Sequence, residues 1–564
     1  MKIAKKIISI KIACLCLLLT FKGCSLEEVW YREVTPDTFF TSRENVLAFK
    51  NRPFTHFRWF VGEQVWALQE LTTDAFVGVT RDGQHWHDGG QFHELHWHTW
   101  TSEHGRVWNG WYGANRGLAM AMQTAEILAT VDYEALGLTL ADRESHLMQL
   151  QALQAFFYLS LLDFFGGVPI FSATTDQDVP RSSAQETFDH IEQLLLEAIP
   201  HLPKKTELGN AEAGIIHQAG AAALLARLYF NAYAYIGKTM FAEAARVSQD
   251  IINGVYGAYA LGTTWYCAHS FNNAHSPEMI WNVPSANGRL TYNWFYNIFS
   301  PINGLDFFDL RGVPGIGTSW NGWSLVPSRD PQGNLLPYRL GGPFERFHDE
   351  DPRRRPFRYL GGGRYEGMFI VGELTNSRTG EPVLGAQGMG GQPLTIVDFV
   401  GRPYPFPNGP IRSTIRDGQE NQGIRLVKVP MPNAADQNLL WSAGQPVVRL
   451  TEIYFMLAES KMRTGDLAGA ATLINTVRAR NFEGADPDPV TVANLDSYRM
   501  LDEWLIEFLG EGRRRTDLIR WDKFVTRPWW DFEPHDNRTR HRFPIPQRAI
   551  AASSPDLLPQ NPGY

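Results

Sequence analysis

The chain has 564 residues, 44% of them apolar and 20% charged, with a formal net charge of −8. That length can bury a large core, and the acidic balance offers no nucleic-acid footprint. Beyond the first twenty residues, no run is apolar for long enough to be a transmembrane helix.

The N-terminus reads as a secretory leader. Lys2, Lys5, Lys6 and Lys11 make a basic start, and residues 12–19 form an apolar run too short to span a bilayer. Phe21-Lys22-Gly23-Cys24 follows, with a small residue directly before a cysteine. Residues 1–23 are therefore expected to be a lipoprotein signal peptide, and Cys24 the site of lipid attachment. Phe21 and Lys22 stand where such signals usually carry small or aliphatic residues, so ordinary secretory cleavage nearby is the competing reading. The leader holds five lysines and no acid, which leaves the remaining chain at −13. Processing would remove Cys14 and Cys16 and consume Cys24. Cys267 then has no intrachain disulfide partner and reads as a small buried residue.

Further along, Glu70-Leu71-Thr72-Thr73-Asp74 leads into residues 74–86, which read as a loop. Six histidines, His85, His87, His93, His96, His98 and His104, crowd into twenty residues. His93-Glu94-Leu95-His96 lacks the H-E-x-x-H spacing of a zinc-protease helix, so these rings are read as hydrogen-bonding or packing groups. No metal or cofactor is assigned, and a structural calcium ion would leave no readable sign.

Residues 107–129, 144–164 and 187–199 read as helices. Residues 214–236 carry alanines and large apolar residues at helical spacing, ended by Gly237, and residues 241–253 form a second helix. Ala219, Ala226, Ala244 and Ala245 would let the two approach closely, as in a tetratricopeptide-like pair. Residues 447–463 and 467–480 repeat the device around Thr464-Gly465-Asp466, a glycine stop followed by an N-cap. About four such pairs predict a mainly α fold, a tetratricopeptide-like helical-repeat scaffold.

Residues 256–446 differ. They are rich in Gly, Pro, Trp and Asn, as in Asn321-Gly322-Trp323 and Gly361-Gly362-Gly363, and read as a long loop-rich insertion of short strands and turns. Loops on a rigid scaffold are where binding groups usually sit. No Ser/Gly or Pro linker separates residues 24–255 from 256–564, so the two regions are expected to pack as one globular unit. The 18 tryptophans exceed what a core needs, which points some of them at a ligand or partner.

Glu70-Leu71-Thr72-Thr73-Asp74, the segment from Glu507 to Trp521 and Gln560-Asn561-Pro562-Gly563-Tyr564 are among the stretches that together resemble the SusD/RagB family. Residues 507–521, EFLGEGRRRTDLIRW, resemble its signature helix, read here as structural: Glu507, Glu511 and Arg514 recur at three- and four-residue spacing, so charges can pair along one face. Phe543-Pro544-Ile545-Pro546-Gln547 and Gln560-Asn561-Pro562-Gly563-Tyr564 resemble its closing sequence, where the prolines prevent helix. Ile474-Asn475, Val477-Arg478 and Arg480 match its C-terminal helix pair, and Asp351-Pro352-Arg353 its loop region. Glu70 to Asp74 resembles its E-x-x-T-D element, Trp108 to Asn115 its tryptophan-bearing helix, and Phe165-Gly166-Gly167-Val168-Pro169 its Y-G-G-V-P turn. Ser25-Leu26-Glu27-Glu28 resembles the surface-export signal of Bacteroidetes lipoproteins.

The resemblance implies a non-catalytic, outer-membrane surface lipoprotein that binds oligosaccharides, or in some members peptides, and delivers them to a SusC-like TonB-dependent transporter. It implies a helical face toward the transporter and a ligand site in the loops. Sugars present C–H faces to aromatic rings and hydroxyls to polar side chains. The expected glycan contacts are Asp74, Arg81 and Trp86 from residues 74–86, and Trp294, Tyr296, Trp320, Asn321 and Trp323 from residues 290–325. Plain packing is the competing role for each tryptophan. Peptide binding and a surface glycoside hydrolase are the alternatives; the latter needs a spaced carboxylate pair, and no recognisable nucleophile or cofactor motif accompanies one.

Overall fold

The computed structural model describes residues 39–82, 88–208, 214–286, 299–401, 415–416 and 418–564. The leader and Cys24 lie outside the described residues, as do Trp86, Trp294 and Tyr296.

Helices lead the chain. α1 (Arg43–Lys50) and α2 (Arg52–Trp59) run toward α3 (Trp66–Glu70). α4 (Gly105–Thr130) and α5 (Leu140–Phe165) make the first long helix pair, and α6 (Ala184–Ala198) packs on α5. Both α5 and α6 begin with capping boxes. The Thr139 hydroxyl accepts from the Asp142 N–H while Asp142 accepts from the Thr139 N–H, and Ser183 and Glu186 repeat the exchange. Each box satisfies two otherwise orphaned donors at a helix start.

α7 (Gln218–Phe230) packs on α9 (Phe241–Ile252), with Ala219, Ala226 and Ala244 fully buried. The single helix expected over 214–236 is interrupted at Asn231, and α8 (Ala232–Ile236) continues it to Gly237 in a left-handed conformation. Asn231 donates to the Arg227 carbonyl, and its amide oxygen accepts from Arg520. That tertiary bond accompanies the break.

α10 (Leu450–Arg463) packs on α9 and on α11 (Leu467–Arg478). Gly465 at φ 97° and the Asp466 cap on the Gly469 N–H form the expected turn. α10 starts three residues later than its sequence predicts. Val447, Val448 and Arg449 belong to strand β10 (Gln445–Arg449), paired antiparallel with β2 (Met279–Val283), where β-branched residues fit a buried ladder.

The signature segment is also two helices. α12 (Ser497–Phe508) ends before Gly510 and Gly512, both left-handed, and α13 (Arg514–Arg520) follows. A Cβ at Gly510 would lie 2.6 Å from the Leu426 side chain, so glycine is required there for space and for φ alike.

The described strands form five two-stranded antiparallel ribbons: β1 (Phe76–Gly78) with β3 (Trp323–Leu325), β2 with β10, β4 (Arg358–Gly361) with β5 (Arg364–Glu366), β6 (Phe369–Ile370) with β9 (Arg425–Leu426), and β7 (Gly372–Glu373) with β8 (Thr395–Ile396). The mainly α scaffold with a ribbon-and-turn insertion is thus the observed architecture. One buried cluster runs from Phe57 to Leu558, drawing on both sides of residue 255. Its centre stacks Trp66 on Trp323 at 4.5 Å and Phe57 on Trp281 at 4.7 Å. No described helix is long and apolar enough to cross a membrane.

Candidate functional site

Loops of the insertion meet the N-terminal region at a buried arginine hub. Arg81 donates to the carbonyls of Asn321 (2.6 Å), Gly322 (2.8 Å) and Gln422 (3.1 and 3.2 Å). Arg425 donates to the Gln422 carbonyl (2.6 Å), the Asn321 side-chain oxygen (2.5 Å) and the Glu420 carbonyl (3.0 Å). Both arginines are fully buried. Burial pushes the Arg81 guanidinium down to about 9, and burial with the neighbouring Arg81 charge pushes Arg425 well down. The carbonyl oxygens stand in for lost water.

The hub holds loop ends. Gln422 binds both backbone groups of Gly401, and the Asp82 N–H donates to Gly418 while Asp82 accepts from the Glu420 N–H. The Asn321 N–H donates to Ser300, and the Thr80 N–H to Ile415. The Glu420 carboxylate accepts from the N–H groups of Ala386 and Gln387. Residues 82, 300, 386–387, 401, 415, 418 and 420 are therefore fastened to one scaffold point.

The structure divides the expected sugar contacts. Asp74 is fully buried and forms a two-bond ion pair with Arg514 at 2.7 and 2.8 Å, while also accepting from the Gly341 N–H. Burial alone would raise its carboxyl, but Arg514 holds it below its ordinary value. Arg81 and Asn321 are spent in the hub, and Trp323 is stacked on Trp66 and flanked by Phe92 and Phe299. None of these four exposes a side chain to a ligand, which corrects the expectation for Asp74, Arg81, Asn321 and Trp323. Their role is framework. Trp320 differs: it is half-buried, beside Asn321, which sits at φ 51° with its side chain locked between Arg425 and Glu420. Asn tolerates that left-handed conformation better than most residues. The lock fixes the backbone that carries Trp320.

Sequence reasoning missed Glu420, Gln422 and Arg425. No local motif marks them; only their meeting with residues 81 and 321, distant in the chain, reveals their function.

Asp517 pairs along the helix with Arg513 and Arg520, but Glu507 and Glu511 pair with charges from other elements. Glu507 accepts from Arg449 (2.7 Å), Arg480 (2.6 Å) and Arg353 (2.9 Å), and Glu511 from Lys428 and Arg449. Burial alone would raise the Glu507 carboxyl; Arg480, Arg449 and Arg353 outweigh it and hold it well below the carboxylate range. Arg520 binds Glu459 at 2.8 Å, and Arg515 pairs with Asp163. This network cross-links α10, α12, α13 and the insertion.

Of the histidines, His85 and His87 lie outside the described residues. His98 hydrogen-bonds to the Thr72 carbonyl and to His535 and stacks on Phe524, and His104 caps α4. His93 contacts the Thr80 hydroxyl, and His96 is buried against Trp530, where burial holds its ring down to about 3. Among the described residues, no group of three or more His, Cys, Asp or Glu side chains could hold a metal ion.

A helical-repeat body that presents loops from a rigid hub has the layout of a surface-binding protein. The comparisons agree with that class. Residues 412–564 match the family described as the SusD family, and residues 60–230 match one described as starch-binding, associating with the outer membrane. The starch-binding protein SusD of Bacteroides thetaiotaomicron is 27% identical over 452 residues, covering 76% of this chain and 74% of that protein. A laminarin-binding SusD-like protein superposes with a TM-score of 0.64 at 19% identity, over 93% of this chain and 100% of that one. Surface glycan-binding protein A from Bacteroides thetaiotaomicron, solved with laminarihexaose, gives 0.62 at 17% identity, over 92% and 100%. The two family matches and the SusD relative together support membership of the SusD/RagB family.

Proposed function

We propose that this chain is a cell-surface lipoprotein that captures an oligosaccharide on its loop face and hands it to a SusC-like TonB-dependent outer-membrane transporter, without catalysis. The observation that carries the reading is the hub: Arg81, Arg425 and Gln422 fasten the ends of several loops and lock Asn321, the chain neighbour of Trp320. A preorganised aromatic in such a setting suits the C–H face of a sugar ring. The starch- and laminarin-binding relatives support the glycan class. Trp320 is the described contact proposed, with Trp86, Trp294 and Tyr296 as further candidates, and Cys24 as the anchor.

Calorimetric titration of the purified chain against plant, host and microbial oligosaccharides, with peptides alongside, tests this. Saturable binding to one glycan class, weakened at least tenfold in Trp320→Ala, is expected. Binding to peptides alone moves the chain to peptide import, and glycan turnover sinks the non-catalytic reading. Co-purification with a co-expressed SusC-like barrel tests the delivery step.

A further inference from the structure

A second aromatic platform lies apart from the loop face. Trp108 and Tyr112 stand one turn apart on α4, so their side chains share a face. Their rings lie 5.7 Å apart with only 23° between planes. Tyr112 is 39% exposed, unusual for a large ring on a long scaffold helix, and Trp108 is half-buried. They floor a solvent-open cleft walled by Phe171, by residues 178–179 and by the helix Gln547–Ala552 with the residues after it. It shares no lining residue with the hub.

Charge at the platform is asymmetric. The Arg548 guanidinium lies 5.6 Å from the Trp108 ring centroid, and Arg116 lies 5.8 Å from that of Tyr112 while donating to its hydroxyl at 2.5 Å. Both arginines are exposed, and among the described residues neither pairs with a carboxylate. Among the described lining residues Asp178 is the one carboxylate, and the Ser554 hydroxyl donates to it. Two stacked rings flanked by two exposed cations that lack carboxylate partners suit a ligand with an apolar face that brings its own negative charge.

We propose that this cleft is a second saccharide site, selective for pyranose rings bearing a carboxylate or sulfate. The rings of Trp108 and Tyr112 take the C–H faces, and Arg116 and Arg548 take the acidic substituents. The site stands on observations separate from the loop-face reading, and each can fail alone.

The test titrates the full chain with a galacturonate oligomer, a chondroitin sulfate oligosaccharide and a neutral malto-oligosaccharide, at low and high salt. At least one anionic oligomer is expected to bind tenfold or more tighter than the neutral one, weakening as salt rises. Which anionic arm binds distinguishes carboxylate from sulfate. Tyr112→Ala and Arg548→Gln should each reduce that binding about tenfold, a loss of ~1.4 kcal/mol, whereas Trp320→Ala should leave it unchanged. Thermal unfolding of each variant confirms that it is folded, and Tyr112→Phe, which keeps the ring, should retain most of the affinity. Absence of binding to both anionic oligomers overturns the proposal. So does equal affinity for the neutral oligomer, or anionic binding abolished by Trp320→Ala and untouched by Tyr112→Ala.

Discussion

Asp74 and Trp320 carry opposite consequences for mutation. Asp74→Ala leaves Arg514 buried with its carboxylate partner removed, a loss expected to cost ~3–5 kcal/mol of stability. Urea unfolding should show it, while the folded fraction keeps its glycan affinity. Trp320→Ala should do the reverse, with stability changed by less than ~1 kcal/mol and glycan binding lost. Asn561 makes a third case. Its side-chain NH2 donates to the carbonyls of Phe165 and Phe543, and its oxygen accepts from Arg181. Asn561→Ala should destabilise by ~2–4 kcal/mol, because it leaves buried polar groups without partners. At this scale the sequence is least informative. Asp74, Arg81, Asn321 and Trp323 have the chemistry of sugar contacts, and only burial shows that the fold has used them internally.

The helical elements were the most legible. Capping residues, small-residue faces and the Thr464-Gly465-Asp466 turn are local signals, and local signals fix helices. The misread boundaries, at Asn231, at Leu450 and between Phe508 and Arg514, are all places where a distant partner decides. The last yields two predictions. Gly510→Ala places a Cβ against Leu426 at positive φ and should cost ~1–3 kcal/mol, read as a lower denaturation midpoint. Glu70 accepts from the Gly512 and Arg513 N–H groups at the same junction, and burial raises its carboxyl to about 7 despite those bonds. Its folded value lies above the unfolded one, so the stability it contributes is full below the ordinary carboxylate range and is lost as pH rises toward about 7. Glu70→Gln removes that dependence. Its melting temperature relative to the parent chain should rise by ~3 °C between pH 5 and pH 8.

At the scale of the whole molecule, the hub makes most of its bonds to backbone. Arg81 and Arg425 hold the carbonyls of Asn321, Gly322, Glu420 and Gln422, and Gln422 clasps the two main-chain groups of Gly401. Such bonds are indifferent to the side chains borne by the intervening loops. The hub therefore acts as a socket with a standard fitting. Substituting side chains between these clasped points should alter which ligand is held and leave the fold intact. New appetites can be acquired by this molecule one loop at a time, without rebuilding the body that carries them.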